Sequence, residues 1–172
     1  MEDRVYLRKL EVSDGINMYL GYQDKDLTYL TGTESDFSLE QIEGHILHCQ
    51  GDDSRYDFAI CLKASDEMIG ELSVVDIEVE NESAAFRISM LSLQLTGKGY
   101  GTEAIKLVVD FVFNKLNLNR LQLEVYSHNP KGIRAYEKAG FVYEGRRRQV
   151  LKIRNEFSDE IIMAILKEDY LK

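Results

Sequence analysis

The chain has 172 residues, of which 44% are hydrophobic and 30% are charged, proportions that are typical of a globular protein. Its formal net charge of -9 argues against nucleic acid as a partner, because binding to phosphates requires a basic surface. No apolar run approaches the roughly 20 residues that cross a membrane, so we expect no membrane association.

Hydrophobic periodicity in the first part of the chain predicts strands, a short helix and one longer helix. Ser38 and Gln41 have the spacing of a capping box, which favours a helix start at this point. A polar turn at residues 63–67 separates two strand-like runs, as in a β-hairpin. The predicted elements are a strand at 5–10, a short helix opened by Ser13 or Asp14, a helix at 39–50, and strands at 56–62 and 68–76.

The apolar pattern changes phase within the next predicted strand. Ala84, Phe86, Ile88 and Met90 alternate with more polar residues, and the apolar phase then moves by one residue to Leu91. Strand side chains alternate with a period of two, so this shift turns the chain over unless a β-bulge absorbs it. We therefore predict a bulge at residues 90–92, with an early end of the strand in a loop as the alternative.

The second half predicts an alternation of helices and strands. Apolar residues recur every three or four positions over 105–116 and polar residues occupy the other face, which indicates an amphipathic helix. Asn129 is suited to cap a later helix, with Pro130 in its first turn. Strands are predicted at 121–125, 141–150 and 161–166. This order of elements is typical of a mixed α/β sheet.

A glycine-rich segment, residues 94–102, joins the fourth predicted strand to the amphipathic helix. Gly97, Gly99 and Gly101 let the backbone approach a ligand closely and adopt positive φ. The helix N-terminus adds unpaired N–H groups and the positive end of the helix dipole, which together favour phosphate binding. The segment lacks the Gly-Lys-Ser/Thr of a P-loop and the spacing of a dinucleotide-binding turn. A flexible strand–helix connection is the alternative.

Two sequence blocks together resemble the GNAT superfamily of N-acetyltransferases. The family pattern Q/R-x-x-G-x-G/A is matched by Gln94, Gly97 and Gly99. A later family block is matched loosely at Asn129 and closely over residues 136–141, Tyr-Glu-Lys-Ala-Gly-Phe. The resemblance covers residues 5–166, and its C-terminal part is similar to enzymes that acetylate ribosomal-protein N-termini or polyamines.

The resemblance implies the GNAT fold, which has a central, twisted and mostly antiparallel sheet of six to seven strands. Its middle strand is splayed and bulged, and about four helices surround the sheet. The implied cosubstrate is acetyl-CoA, whose pantetheine arm lies in the gap beside the splayed strand and whose pyrophosphate binds the glycine-rich turn. Expected coenzyme contacts are Met90, Leu91, Leu93, Gln94, Gly97, Lys98, Gly99, Tyr100, Gly101, Thr102, Asn129 and Lys138.

The resemblance also implies direct attack of an amine on the acetyl thioester. Tyr136 matches the family residue that serves the leaving thiolate, and a phenol can protonate a thiolate at little cost. A free N–H group at the predicted bulge, that of Leu91, is expected to stabilise the oxyanion of the intermediate. Without the family pattern, Tyr136 is better explained as a core aromatic on its helix.

The residue that removes a proton from the amine is open from sequence. Glu71 and Asp76 occupy the strand expected beside the splay, and their spacing of five sends them to opposite faces. Glu71 follows Gly70 in a family-like position and is the preferred base, while a water relay without a dedicated base is the alternative. His45, His48 and His128 lack the arrangement of a metal site, so no metal is expected.

Three functions remain open at this point. They are acetylation of a small molecule or protein N-terminus, acetylation of a polyamine, and a non-catalytic acyl-CoA-binding regulatory module. Residues 1–172 contain no repeat or linker and are expected to form one N-acetyltransferase domain. Cys49 and Cys61 have no metal spacing and are expected to be free thiols, as in the cytoplasm. Similar proteins commonly pair late strands, so a homodimer is also expected.

Overall fold

The computed structural model describes residues 2–172, and seven strands in this range form one sheet. The strands are β1 (Val5–Lys9), β2 (Tyr56–Leu62), β3 (Met68–Glu78), β4 (Ser83–Met90), β5 (Arg120–Tyr126), β6 (Val142–Ile153) and β7 (Glu156–Leu166). Their order across the sheet is β1-β2-β3-β4-β5-β7-β6. Neighbouring strands are antiparallel except β4 and β5, which are parallel. The predicted mixed and mostly antiparallel sheet is thus confirmed.

Six α-helices occur in the described range, two more than the number expected. They are α1 (Gly15–Tyr22), α2 (Lys25–Leu30), α3 (Leu39–Gln50), α4 (Tyr100–Asp110), α5 (Pro130–Lys138) and α6 (Lys167–Tyr170), with a π-helical turn at Phe111–Lys115 after α4. Helices α2 and α6 have six and four residues, too few to produce a recognisable helical period. None of the helices within residues 2–172 is long and apolar enough to span a membrane.

Helix α3 begins where its capping box predicts. The Gln41 amide donates to Ser38 Oγ at 3.1 Å, and the Ser38 amide donates to Gln41 Oε1 at 2.9 Å. This reciprocal pair satisfies two N–H groups that a helix start otherwise leaves unpaired. The start of α2 relies on Asp24 alone, whose Oδ1 accepts from the amides of Asp26 and Leu27.

The middle of the sheet is splayed between its two parallel strands. Strand β4 pairs with β5 only from Ser83 opposite Arg120 to Ala85 opposite Gln122. Beyond Ala85, β4 keeps β3 as its neighbour and separates from β5. A wedge-shaped gap therefore opens at the C-terminal half of β4, as the resemblance implied.

The bulge predicted at residues 90–92 is wrong. Residues 70–75 of β3 face residues 85–90 of β4 in an unbroken register. The Leu91 amide extends this ladder by donating to the Ile69 carbonyl at 2.9 Å. The strand then ends, and a 3-10 turn follows at Leu93–Leu95. The change of apolar phase marks the end of the strand, which is the alternative left open above.

The irregularity of this hairpin lies in β3 instead. The register between β3 and β4 shifts between Val75 and Glu78, and Asp76 has a φ of 51° there. An extra residue in one strand of an antiparallel pair bends that strand and increases its twist. The bend falls at the end of the hairpin that is far from the glycine-rich turn.

The two faces of the sheet carry separate hydrophobic cores. On one face, Ile105 and Val108 of α4 pack against strand residues such as Leu72. On the other face, Ile42 and Ile46 of α3 belong to a smaller cluster together with Met18 of α1. Full burial of such a side chain contributes roughly 1.5–3 kcal/mol relative to exposure. The helices are thereby fixed on either side of the gap between β4 and β5.

Candidate active site

Backbone groups of β4 face the gap that β5 leaves. Leu91 and Ser89 direct their N–H and C=O groups towards β3, because hydrogen-bonded positions alternate along an antiparallel pair. Ile88 and Met90 therefore direct theirs into the gap. An extended ligand with amide groups could continue the β-ladder at these two residues. The backbone of Met90 faces the gap, as its predicted role requires, and so does the backbone of Ile88, which the sequence analysis did not name.

A cavity of about 310 Å³ occupies this gap, and we call it the coenzyme cavity. It extends from β4 past the glycine-rich turn to α5. Predicted site residues in its wall are Met90, Gly97, Gly99, Gly101, Thr102, Asn129, Tyr136 and Lys138. The sequence blocks at 94–102 and 129–141 are thus brought together around one space.

The glycine-rich turn leaves the N-terminus of α4 open to a ligand. Gly97 and Gly99 have φ of 75° and 88°, a conformation that other residues rarely adopt. Gly99 is the N-cap residue, and no side chain caps the helix. The first amides of α4 are consequently unpaired and lie at the positive end of the helix dipole, an arrangement that binds phosphate oxygens.

Arg4, the residue before β1, holds the turn in place. Its guanidinium donates to the Lys98 carbonyl at 2.8 Å and to Glu103 Oε1 at 2.7 Å, and it lies 4.4 Å from the centroid of the Tyr100 ring. The ion pair lowers the pKa of Glu103 and compensates the negative charge that this residue brings to the first turn of α4. Arg4 was not predicted, since a contact across 99 residues leaves no local sequence signal.

Tyr136 lies on α5 and is buried with 9% of its surface exposed. Its ring packs edge-on against Phe86 and Phe141, so the core-aromatic role is real. Its hydroxyl has no hydrogen-bond partner among residues 2–172, yet no side-chain oxygen there is both fully buried and unpaired. The hydroxyl is thus accessible from the coenzyme cavity. Burial raises the pKa of Tyr136 to about 12, which keeps the phenol protonated and able to donate.

Helix α5 also brings cations to the coenzyme cavity. Lys131 and Arg134 line the wall together with the predicted Lys138. Asn129 is the N-cap of α5, and its Oδ1 accepts from the Gly132 amide at 3.0 Å. The Asn129 side chain therefore stabilises the start of α5. The three cations can attract the phosphates of a coenzyme, and their spacing of three and four residues places them on one side of the helix.

Leu91 does not have the role predicted for it. Its amide is already bound to Ile69, so it is not free to stabilise an oxyanion. Helix α1 covers its backbone so closely that a Cβ atom at Gly21 would lie 2.8 Å from the Leu91 carbonyl oxygen. Leu91 consequently packs in the smaller core and stays outside the coenzyme cavity.

Four other predicted contacts also lie outside the wall of the coenzyme cavity. Leu93 and Gln94 occupy the 3-10 turn, where the neighbouring Leu95 and Thr96 line the wall instead. Lys98 and Tyr100 are contacted by Arg4 and do not line the cavity. The sequence pattern predicted the segment but could not assign which of its residues face the cavity.

A second cavity of about 600 Å³ lies between the sheet and helices α1 and α3, and we call it the acceptor cavity. Glu71 of β3 lines it and receives a hydrogen bond from the Tyr22 hydroxyl. Burial raises the pKa of Glu71 to about 7, although the hydrogen bond from Tyr22 opposes the increase. The other base considered, Asp76, lies at the bulge of β3 and outside both cavities.

The two cavities meet at β4. Thr31, Ile88 and Ser89 line both of them. Ser89 also lies directly opposite Glu71 in the β3–β4 ladder. A reactive group bound in the coenzyme cavity near Met90 is therefore next to the entrance of the acceptor cavity, one strand away from Glu71.

A metal site is not part of this arrangement. Throughout residues 2–172, no group of three or more His, Cys, Asp or Glu side chains is placed to hold a metal ion. His128 instead bridges Ser158 Oγ at 2.7 Å and the Tyr29 carbonyl at 2.6 Å.

The sequence matches the family described as "Acetyltransferase (GNAT) domain" over residues 4–142. This range includes the glycine-rich turn, Glu71 and Tyr136. The probable N-acetyltransferase YjcK of Bacillus subtilis (strain 168) is 32% identical over 173 residues, which cover 96% of this chain and 95% of that relative.

Two solved structures have the same fold over nearly their whole length. A crystal structure of spermidine N-acetyltransferase from Vibrio cholerae in complex with CoA and spermine has a TM-score of 0.89 and 27% identity, with 98% of this chain and 99% of that chain covered. A dodecameric structure of spermidine N-acetyltransferase from Vibrio cholerae in an intermediate state has a TM-score of 0.82 and 28% identity, with 98% and 97% covered.

Proposed function

The chain belongs to the GNAT acetyltransferase family and transfers the acetyl group of acetyl-CoA to an amine, and we propose that its two cavities hold the two substrates. Acetyl-CoA occupies the coenzyme cavity, and the amine occupies the acceptor cavity. The observation that carries this assignment is that the cavities share Thr31, Ile88 and Ser89. Two separate substrates can meet only where their cavities join.

Glu71 takes the proton that the attacking amine must lose, either directly or through a water molecule. A general base works best when its pKa is near the working pH, and that of Glu71 is raised to about 7 by burial. Its position opposite Ser89 supports the role, since Ser89 lies where the cavities join. The amine nitrogen then forms a bond to the acetyl carbon, and the carbonyl electrons move to its oxygen.

Collapse of this intermediate breaks the carbon–sulfur bond and leaves a thiolate. The Tyr136 phenol donates its proton to that thiolate and returns to its neutral form by exchange with solvent. Its accessible hydroxyl supports this role, and the raised pKa keeps the phenol protonated until the thiolate forms. With the Leu91 amide bound to Ile69, the N–H groups of β4 that face the gap, those of Ile88 and Met90, are the candidates to stabilise the oxyanion.

The coenzyme is held at three places along the coenzyme cavity. Gap-facing backbone groups of Ile88 and Met90 pair with the pantetheine amides. The open N-terminus of α4, with the glycine-rich turn, binds the pyrophosphate. Lys131, Arg134 and Lys138 on α5 attract the remaining phosphate charge. Asn129 contributes through the start of α5.

A polyamine is one acceptor to test, because the solved structures named above are spermidine N-acetyltransferases, one of them in complex with spermine. The exposed edge strand β6, with Val142 and Tyr143 both 56% exposed, is a surface on which copies of the chain can pair as a homodimer or a larger assembly. No feature of the acceptor cavity favours a ribosomal-protein N-terminus specifically. We assign the reaction to the cytoplasm.

The proposed function is tested by release of free thiol from acetyl-CoA in the presence of a panel of amines. The panel contains spermidine, linear diamines, amino acids and a peptide with a free N-terminus. We expect thiol release with at least one of these amines and saturable heat on titration with acetyl-CoA. Heat without turnover on any amine would instead support the non-catalytic acyl-CoA-binding module, and absence of heat would contradict both.

A further inference from the structure

A grid of polar side chains forms the sheet side of the acceptor cavity. Asp57, Ser73 and Arg87 lie side by side across β2, β3 and β4, and Glu71 and Ser89 lie side by side two residues further along. Residues paired across strands share a face, so these five side chains, which we call the polar grid, point to the same side of the sheet. All five line the acceptor cavity.

The Asp57 carboxylate is already satisfied within the polar grid. Arg55 donates two hydrogen bonds to it, at 2.9 Å and 2.7 Å, and the Ser73 hydroxyl donates a third at 2.6 Å. A bidentate guanidinium–carboxylate pair is among the strongest and most directional contacts in proteins. Asp57 therefore has little capacity left to bind a cationic substrate.

Arg87 has no such partner. Its side chain is exposed at the cavity, and across residues 2–172 no carboxylate lies within ion-pair distance of it. Strand β5 has already separated from β4 at this point, so no neighbouring strand covers Arg87 on that side. Its guanidinium offers several hydrogen-bond donors to whatever enters the cavity.

The charges left over in the acceptor cavity are thus one carboxyl group and one guanidinium. The charged side chains in its wall are Arg55, Asp57, Glu71 and Arg87, together with the imidazole of His45. Once Arg55 and Asp57 are paired, Glu71 and Arg87 remain as a diagonal pair in the polar grid. Diagonal neighbours on adjacent strands are roughly 7–8 Å apart.

We propose that the acceptor is a zwitterionic amine, whose amino group is acetylated beside Glu71 while its carboxylate binds Arg87. This inference rests on the proposed function, because it requires that the cavity hold the acceptor. A linear ω-amino acid with four or five carbon atoms between the two charges, or a short peptide of similar reach, fits the spacing. A polyamine has a second cation where the zwitterion has its carboxylate, and that cation meets the like charge of Arg87.

The test uses three acceptors of equal chain length that differ in the second group alone. They are 5-aminopentanoate, its uncharged analogue 5-aminopentanamide, and the diamine 1,5-diaminopentane; spermidine serves as the reference polyamine. We expect kcat/KM to be highest for the carboxylate by roughly 10-fold to 100-fold, the range of a charge-assisted hydrogen bond. The measurement is thiol release from acetyl-CoA by the full chain.

Variants of Arg87 assign the preference to this residue. Arg87→Gln should lower kcat/KM for 5-aminopentanoate about tenfold or more, chiefly through KM, and should raise kcat/KM for the diamine. Arg87→Lys keeps the charge and should retain most of the preference, and Arg87→Glu should reverse it. Lys115→Gln is the matched control, because it removes one positive charge from an exposed residue outside both cavities.

Failure of this inference is distinguishable from failure of the proposed function. The zwitterion proposal would be overturned if kcat/KM were higher for spermidine and 1,5-diaminopentane than for 5-aminopentanoate and did not respond to Arg87→Gln. The proposed acetyltransferase function would still stand. Absence of thiol release with every amine would overturn the proposed function itself. If Arg87→Gln does not fold, the ranking of the three acceptors by the unaltered chain still decides the question.

Discussion

The Tyr22 hydroxyl donates its hydrogen bond to the Glu71 carboxylate, which ties the last turn of α1 to the middle of β3. The two residues are 49 positions apart in the chain. Burial of Glu71 raises its pKa to about 7. The hydrogen bond from Tyr22 opposes this effect, because it favours the ionised form of Glu71. In the same contact, burial and the nearby carboxylate raise the pKa of Tyr22. The phenol therefore remains the donor over the whole working range of pH.

Replacing Tyr22 with Phe should move the pH dependence of catalysis to higher pH. Loss of the hydrogen bond removes the one contact that lowers the pKa of Glu71, so the base is deprotonated only at more alkaline pH. We expect the acidic limb of the profile of kcat/KM against pH to rise by about one unit. Tyr19→Phe on the same helix is the control, since Tyr19 lines neither cavity. If the acidic limb of the profile does not move in Tyr22→Phe, ionisation of Glu71 does not determine the dependence of kcat/KM on pH.

Glu71→Gln should lower kcat by about 100-fold or more and flatten the acidic limb, because a general base contributes at least that factor. The amide keeps the size of the side chain but cannot accept the proton. Asp76→Asn removes the same kind of group from the bulge of β3, outside both cavities, and should leave kcat almost unaltered. Equal losses in the two variants would argue for general charge effects, and an unaltered kcat in Glu71→Gln would argue for a water relay without a dedicated base. Steady-state kinetics at saturating acetyl-CoA measure both.

Tyr136→Phe should lower kcat substantially while it weakens the binding of acetyl-CoA only slightly. The ring keeps its edge-on packing against Phe86 and Phe141, so folding is retained, and only the donor to the thiolate is lost. We expect kcat to fall by about 10-fold to 100-fold, while the Kd of acetyl-CoA measured by calorimetry changes little. Tyr143→Phe on the exposed strand β6 is the control. An unaltered kcat would exclude Tyr136 from proton transfer.

Local sequence patterns predicted the parts of the fold that short segments determine. The capping box at Ser38 located α3, and the alternating glycines located the turn before α4. The phase change after Met90 was misassigned because a bulge and the end of a strand produce the same local pattern. Only the partner strand distinguishes them, here through the bond from the Leu91 amide to Ile69.

Contacts between distant segments could not be predicted from one sequence. Arg4 binds Glu103 across 99 residues, and Tyr22 binds Glu71 across 49, and neither pair has a spacing rule. The role proposed for Arg87 likewise depends on the early separation of β5 and on the pairing of Arg55 with Asp57. Motifs thus predicted the residues around the first cavity, whereas the second cavity is formed by long-range packing.

Gly101→Ala should weaken the binding of acetyl-CoA without destabilising the fold. A Cβ atom at Gly101 meets no protein atom within 4 Å, and Gly101 lies in the wall of the coenzyme cavity at the start of α4. The added methyl group therefore occupies the space in which we propose that the phosphate oxygens bind. We expect KM for acetyl-CoA to rise about tenfold, which corresponds to a loss of about 1.4 kcal/mol of binding free energy. Calorimetry and steady-state kinetics check this.

Gly44→Ala is the matched control for Gly101→Ala. Gly44 lies in α3, its Cβ position also meets nothing within 4 Å, and it is outside both cavities. Alanine in place of glycine stabilises a helix interior by roughly 0.5–1 kcal/mol, so neither variant should melt below the unaltered protein. An equal rise of KM in the two variants would contradict a phosphate site at the start of α4.

The raised pKa of Glu71 predicts a stability effect that needs no substrate. In the unfolded chain this carboxyl titrates near 4.5, and in the folded chain at about 7. Between these values the unfolded state loses its proton first, so the free energy of unfolding falls as the pH rises from about 4.5 to about 7, then stays level. The glutamine of Glu71→Gln cannot ionise, so the free energy of unfolding of this variant does not fall in this way. Its Tm relative to the unaltered protein should therefore increase from pH 5 to pH 8, whereas Asp76→Asn, an exposed residue, should show no such trend. A difference in Tm that is constant with pH would mean that Glu71 titrates normally in the folded protein, and the assignment of Glu71 as a base adjusted to neutral pH would lose its physical support.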